Sequence, residues 1–153
     1  MRRLIVLDTN VLGILANPRR SIASDVCRAW FEALLNADDT VILPEIADYE
    51  LRREMLLNGA SDSIEQLDAL RNQARYVRLT TETMQLAAAF WANIRKQGQP
   101  TADRHALDGD VILAAQARLL DDPGDGIIIA TTNVKHLIRF ADARLWAAIG
   151  VSA

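Results

Sequence analysis

Cysteine is nearly missing from this chain of 153 residues, with Cys27 alone, and there are only two histidines, four prolines and seven glycines. One cysteine excludes an internal disulfide and fits a reducing compartment, and Cys27 itself is expected to fill core. His105 and His136, expected in a loop and in a short helix, have neither the pairing nor the spacing of a zinc site. No serine or cysteine elbow, phosphate loop or dinucleotide fingerprint occurs. Long apolar runs are absent too: a membrane span needs about 20 such residues. Arg2 and Arg3 precede only Leu4 to Leu7 before Asp8 interrupts, which is no secretion signal. A soluble, cytoplasmic protein is expected. Basic charge is not in excess. The net charge of −3 gives no long-range pull on nucleic acid, so a polyanion would have to be bound locally.

What is present is the composition of a folded domain: 50% apolar and 24% charged residues. The length suits one domain over residues 1–153 that buries its own core. No repeat or linker divides it. Leu4 to Leu7 and "GIIIATT" (126–132) are apolar at successive positions, as in strands covered on both faces. "TVILP" (40–44) and "YVRLT" (76–80) read as further strands. Helices are expected over 22–37, 45–58, 62–74 and 82–97, with Ser21 and Ser61 as N-caps, and a buried helix over 110–120. Residues 96–109 and 121–126 read as loops. The alternation predicts a three-layer α/β/α sandwich around a mostly parallel sheet.

In such sheets ligands sit beyond the carboxyl ends of the strands. Asp8 ends the first strand there, and Thr131, Thr132 and Asn133 end the last strong one. Asp108 and Asp110 are placed at the start of the apolar helix, on the same edge. Asp108 is explained as well by capping, whereas Val111 and Ile112 put Asp110 beside buried residues. Glu50, in "PEIADYELRREML", falls within roughly 40° of Ile46 and Leu57 on a helical wheel. A carboxylate on that apolar side is ion-paired, with Arg53 or another arginine, protonated, or bound to a cation. If Asp8, Glu50, Asp110 and Asn133 meet, with Asp108 as a further candidate, their mutual repulsion calls for a hard divalent ion. Mg²⁺ or Mn²⁺ takes oxygen ligands and supports phosphodiester hydrolysis.

"VLDTN", Glu50 in "ADYELRRE", "DGDVILAAQA" and "IIIATTNVKHL", in that order over about residues 3–140, resemble the PIN-domain family. The resemblance implies a PIN-like fold and a Mg²⁺- or Mn²⁺-dependent endoribonuclease, in small members often the VapC-like toxin of a toxin–antitoxin pair. It implies Asp8, Glu50 and Asp110 as metal-binding acids and Asn133 at the place where many members carry a fourth aspartate. Asp108 is then a candidate to compensate for the missing charge. Thr9 and Asn10 would tighten the turn that aims Asp8, and Thr131 would brace the site with its hydroxyl. An antitoxin protein and a second copy of the chain are the implied partners. Leu51, Met55, Leu67 and Leu70 are available either for a dimer face or for core. Arg52, Arg53 and Arg104 are the rim cations expected to meet RNA.

Two other readings stand beside this one. "LDTNVL" also resembles the nucleophile motif of haloacid-dehalogenase phosphatases, with Lys135 as that superfamily's lysine, but Asn10 occupies the position of their acid/base aspartate and cannot transfer a proton. A PIN-like module that binds RNA or protein without cutting is the other, suggested by Asn133 and the acidic balance.

Overall fold

The apolar tetrad Leu4–Leu7 becomes the central strand β1 of a five-stranded sheet. The structure is a computed structural model that describes residues 2–98 and 104–152, the side chains of residues 104–106 excepted. Chain order is β1 (Leu4–Leu7), α1 (Thr9–Ala16), α2 (Ile22–Leu35), β2 (Thr40–Pro44), α3 (Glu45–Leu57) and α4 (Ser61–Gln73). It continues through β3 (Arg75–Val77), α5 (Thr81–Lys96), α6 (Arg104–Arg118), β4 (Ile127–Thr131) and β5 (Ala143–Leu145) to a 3-10 turn, Trp146–Ala148. The strand order is β3-β2-β1-β4-β5, and every pairing is parallel. Among the described residues no helix is long and apolar enough to cross a membrane.

Alternation along the strands divides the core. Ile5, Leu7, Val41, Leu43, Ile128 and Ala130 turn to one face, where they meet Leu12, Cys27, Phe31, Leu34 and Leu67 from α1, α2 and α4. Leu4, Val6, Ile42 and Ile129 turn to the other, against Leu113 and Ala117 of α6 and Leu137. Helix α5 packs on α6 through Ala87, Ile94, Leu107, Val111 and Ala115. Three layers result, as the α/β/α expectation requires.

Several expectations are corrected. The chain does not merely turn after Asp8: Thr9 and Asn10 begin α1, with Asp8 as its N-cap. The next helix starts as expected, Ser21 and Ser24 capping each other's backbone N–H groups. Ser61 is not a cap; Ala60 holds that position without a side-chain hydrogen bond. Residues 96–109 are not all loop, since α6 already begins at Arg104, so His105 is helical and Asp108 and Asp110 lie in the second turn. Conversely, His136 lies in consecutive turns rather than a helix. β5 was hidden because its Arg144 and Leu145 are exposed and only Ala143 is buried.

Buried Gln116 joins α6 to α3. Its Oε1 accepts from Ile46 N at 3.1 Å and its Nε2 donates to Val77 O at 2.9 Å. Pro44 offers α3 no side-chain cap, so this amide satisfies a donor at the helix start that would otherwise lack a partner. It also fixes α3 beside α6, which brings their acidic residues to the same cleft. Of the four positions offered for a dimer face, Met55, Leu67 and Leu70 are buried within the chain and Leu51 packs against the same cluster. They are core, whereas Leu56 and Leu57 on α3 are exposed.

Candidate active site

In the order β3-β2-β1-β4-β5 the chain winds outward from β1 in one direction and continues from β4 in the other, so the crevice lies at the carboxyl ends of these two strands. Asp8 stands there. Its Oδ1 accepts from Thr9 N at 2.7 Å and its Oδ2 accepts from the Thr131 hydroxyl at 2.6 Å. The register brings Thr131 to it: Leu7 pairs with Ala130, and Asp8 N donates to Ala130 O. Thr131 is wholly buried. Burial pushes the Asp8 carboxyl above the usual carboxylate range, and the two hydrogen bonds only partly counter it.

Glu50 approaches from α3. Its Oε1 accepts from the Thr9 hydroxyl at 2.9 Å, so Thr9 holds one acid by its backbone and another by its side chain. Arg53 Nη2 stands 3.9 Å from Glu50 Oε2, and its guanidinium lies over the Tyr49 ring at 5.2 Å. Glu50 is nevertheless pushed up, first by burial. The wheel placed it only half correctly, because Ile46 is buried but Leu57 is 85% exposed.

Asp110 comes from α6, between buried Gly109 and Val111. Burial, followed by the charges of Asp8 and Glu50, pushes its carboxyl from 3.8 up to about 7. The three acids share one cleft of about 410 Å³, lined also by Thr9, Asn10, Gly13, Leu51, Arg53 and Glu54. They are not drawn into a closed cage, for among the described residues no three acidic or histidine side chains are placed to hold an ion between them. The donor set still fits Mg²⁺ or Mn²⁺: every candidate atom is a carboxylate oxygen, and Mg²⁺ keeps several waters and needs only one or two direct carboxylates.

Asn10 lines the cleft, whereas Asn133, Asp108 and Arg52 do not. Asn133 is exposed and does not line the cleft; its Oδ1 accepts from Lys135 N. Asn10 donates to the Thr132 hydroxyl at 3.3 Å. Exposed Asp108 lines an apolar pocket with Met84, Trp91 and Ile112 and a second pocket with Glu50, Arg53 and Gly109, but not the cleft shared by the three acids. Arg52 is held by Asp48 at 2.8 Å and Asp68 at 2.7 Å and does not reach the cleft. The Arg104 side chain lies outside the described residues. Sequence reasoning missed Glu54 and Gly109. Glu54 lies one helical turn beyond Glu50, a spacing that places both on one face. Gly109 lies beneath the Glu50 carboxylate, and nothing in the sequence links those two positions.

The PIN-domain family model matches residues 5–144. The chain belongs to the PIN-domain family, which sets the phosphatase reading aside. No curated protein matches it in sequence. Among solved structures, it is similar to a chain of VapBC2 from Rickettsia felis bound to a DNA fragment from their promoter. That match has a TM-score of 0.71 at 15% identity, covering 94% of this chain and 98% of that one. It is also similar to a chain of VapBC-1 from nontypeable Haemophilus influenzae, with a TM-score of 0.66, 19% identity and the same coverage of 94% and 98%. At these identities the likeness is one of fold.

Proposed function

We propose that the protein is a Mg²⁺- or Mn²⁺-dependent endoribonuclease in which Asp8, Glu50 and Asp110 bind the metal. The observation that carries the reading is the Asp110 carboxyl, pushed to about 7 by burial and by Asp8 and Glu50. Half-buried acids that share a cleft, with the charges of Asp8 and Glu50 adding to the burial of Asp110, form a site where a cation is favoured. The bound ion would supply the positive charge and Lewis acidity that phosphodiester hydrolysis requires. The chain's own groups orient the ligands: Thr131 and Thr9 fix the two oxygens of Asp8, and Thr9 and Arg53 fix Glu50.

RNA meets an acidic cleft, so binding needs the cation together with rim arginines. Arg53 lines the cleft and is the rim cation we retain. With Asn133 outside the cleft, the metal site is assigned to acids from β1, α3 and α6. The family and the VapBC neighbours support a toxin partnered by an antitoxin, and Leu56 and Leu57 are the exposed apolar residues through which α3 could pair with a second copy.

The test is RNA decay by purified protein with Mn²⁺, beside an Asp8→Asn variant purified identically. Cleavage by the parent alone supports the nuclease. Equal decay in both samples would assign the activity to a contaminant and leave a binding module. A small open reading frame overlapping this gene would support the toxin assignment, and gel filtration reads the dimer.

A further inference from the structure

Gly109 sits in the interior of α6, where glycine is the least favourable residue after proline. Its backbone conformation does not require it, for it is absent from the residues of positive φ. The requirement comes from across the helix crossing. A Cβ placed on Gly109 would stand 2.9 Å from Cδ and 3.0 Å from Oε1 of Glu50, and closer still to Oε2. At such distances something must shift, and because the atoms met are the end of the Glu50 side chain, Glu50 is what would move. The carboxylate therefore lies in the place a side chain at 109 would fill, beside Ile46, Tyr49, Arg53, Asp108 and Ile112.

We infer that Gly109 is a positioning residue for metal binding: its missing side chain is the slot that lets Glu50 lie flat on α6 next to Asp110. This rests on the metal reading above. Glu50 Oε1 already accepts from the Thr9 hydroxyl at 2.9 Å, so a side chain at 109 would displace a carboxylate that has a partner. Any side chain at 109 separates Glu50 from Asp110, although neither acid is altered. The length of Glu50 and the bareness of Gly109 form a matched pair. An aspartate at 50, one methylene shorter, would leave room for a Cβ at 109.

The experiment is a Mn²⁺ titration, read by electron paramagnetic resonance of the free ion, on metal-stripped parent, Gly109→Ala, Glu50→Asp and the double variant, with thermal melts of each. Gly109→Ala is expected to weaken Mn²⁺ binding about tenfold or more, the range for groups that orient metal ligands, while its metal-free melting temperature does not fall. In the Glu50→Asp background the same Gly109→Ala change is expected to cost little, the non-additivity of residues in contact. Unchanged Mn²⁺ affinity in Gly109→Ala, or equal losses in both backgrounds, overturns the slot while leaving the metal site standing. A parent that binds no Mn²⁺ overturns both. If Gly109→Ala does not fold, the double variant decides. Folding and binding Mn²⁺ like Glu50→Asp support the slot; failure to fold assigns Gly109 to backbone packing and overturns it.

Discussion

Thr131 donates its hydroxyl hydrogen to Asp8 across 2.6 Å, joining the carboxyl ends of β4 and β1. Thr131→Val keeps the branched shape and removes the donor. Asp8, already raised by burial, then rises further, and its Oδ2 is left without that partner. The expected cost is about 1–3 kcal/mol of stability in a denaturant melt. Mn²⁺ affinity should fall about 10–100-fold. A variant as stable and as tightly metal-binding as the parent would remove Thr131 from the site.

Asp110→Asn should stabilise the metal-free protein. A carboxyl whose folded value is about 7 against an ordinary 3.8 binds its proton more tightly when folded, so stability falls as pH rises through this interval and the deficit is complete above about pH 7. The amide carries no charge to bury. Asp110 is only partly buried, so solvent screening reduces the deficit to roughly 1 kcal/mol, and a melting temperature higher by about 2–4 °C at pH 8 is expected, with the gain shrinking by pH 4. Equal melting at both pH values would contradict it.

Asp39 behaves in the opposite sense. Burial alone would raise it, but hydrogen bonds from Arg3 and Ser152 hold it down to about 2. Its contribution, about 2 kcal/mol, is present above pH 4 and lost as pH falls toward 2. Asp39→Asn should remove this acid-sensitive component. Acid titration of the thermal midpoint, parent against variant, reads it directly; identical profiles below pH 4 would show that the pair contributes nothing.

Arg53→Ala should weaken RNA binding and lower the slope of log affinity against log salt by about 1. Arg52→Ala should instead act on stability, because Arg52 bridges Asp48 and Asp68. Filter binding between low and moderate salt separates the two arginines. A slope unaltered by Arg53→Ala takes that residue off the rim.

Much of this molecule was legible in sequence because burial on both faces leaves an unbroken apolar record: Leu4–Leu7 and Ile127–Thr131 could scarcely be anything but central strands. α1 was not, because Thr and Asn suit a turn as well as a first helical turn, and only pairing between β1 and β4 sets Asp8 as a cap. Asp8, Glu50 and Asp110 could be found as carboxylates beside buried residues. Asn133 could not be placed, since position along the chain does not reveal that its amide binds the backbone of Lys135. Gly109 was beyond reach for a related reason: its constraint comes from Glu50 on another helix.

Asp8 and the hydroxyl that anchors it are 123 positions apart. During synthesis, β1 lacks one of its two neighbours until residue 131 has left the ribosome, and parallel pairing of distant segments is slow even then. The cleft therefore cannot be assembled on a partial chain. Closing the site is thus a late event, set by the arrival of β4 beside β1.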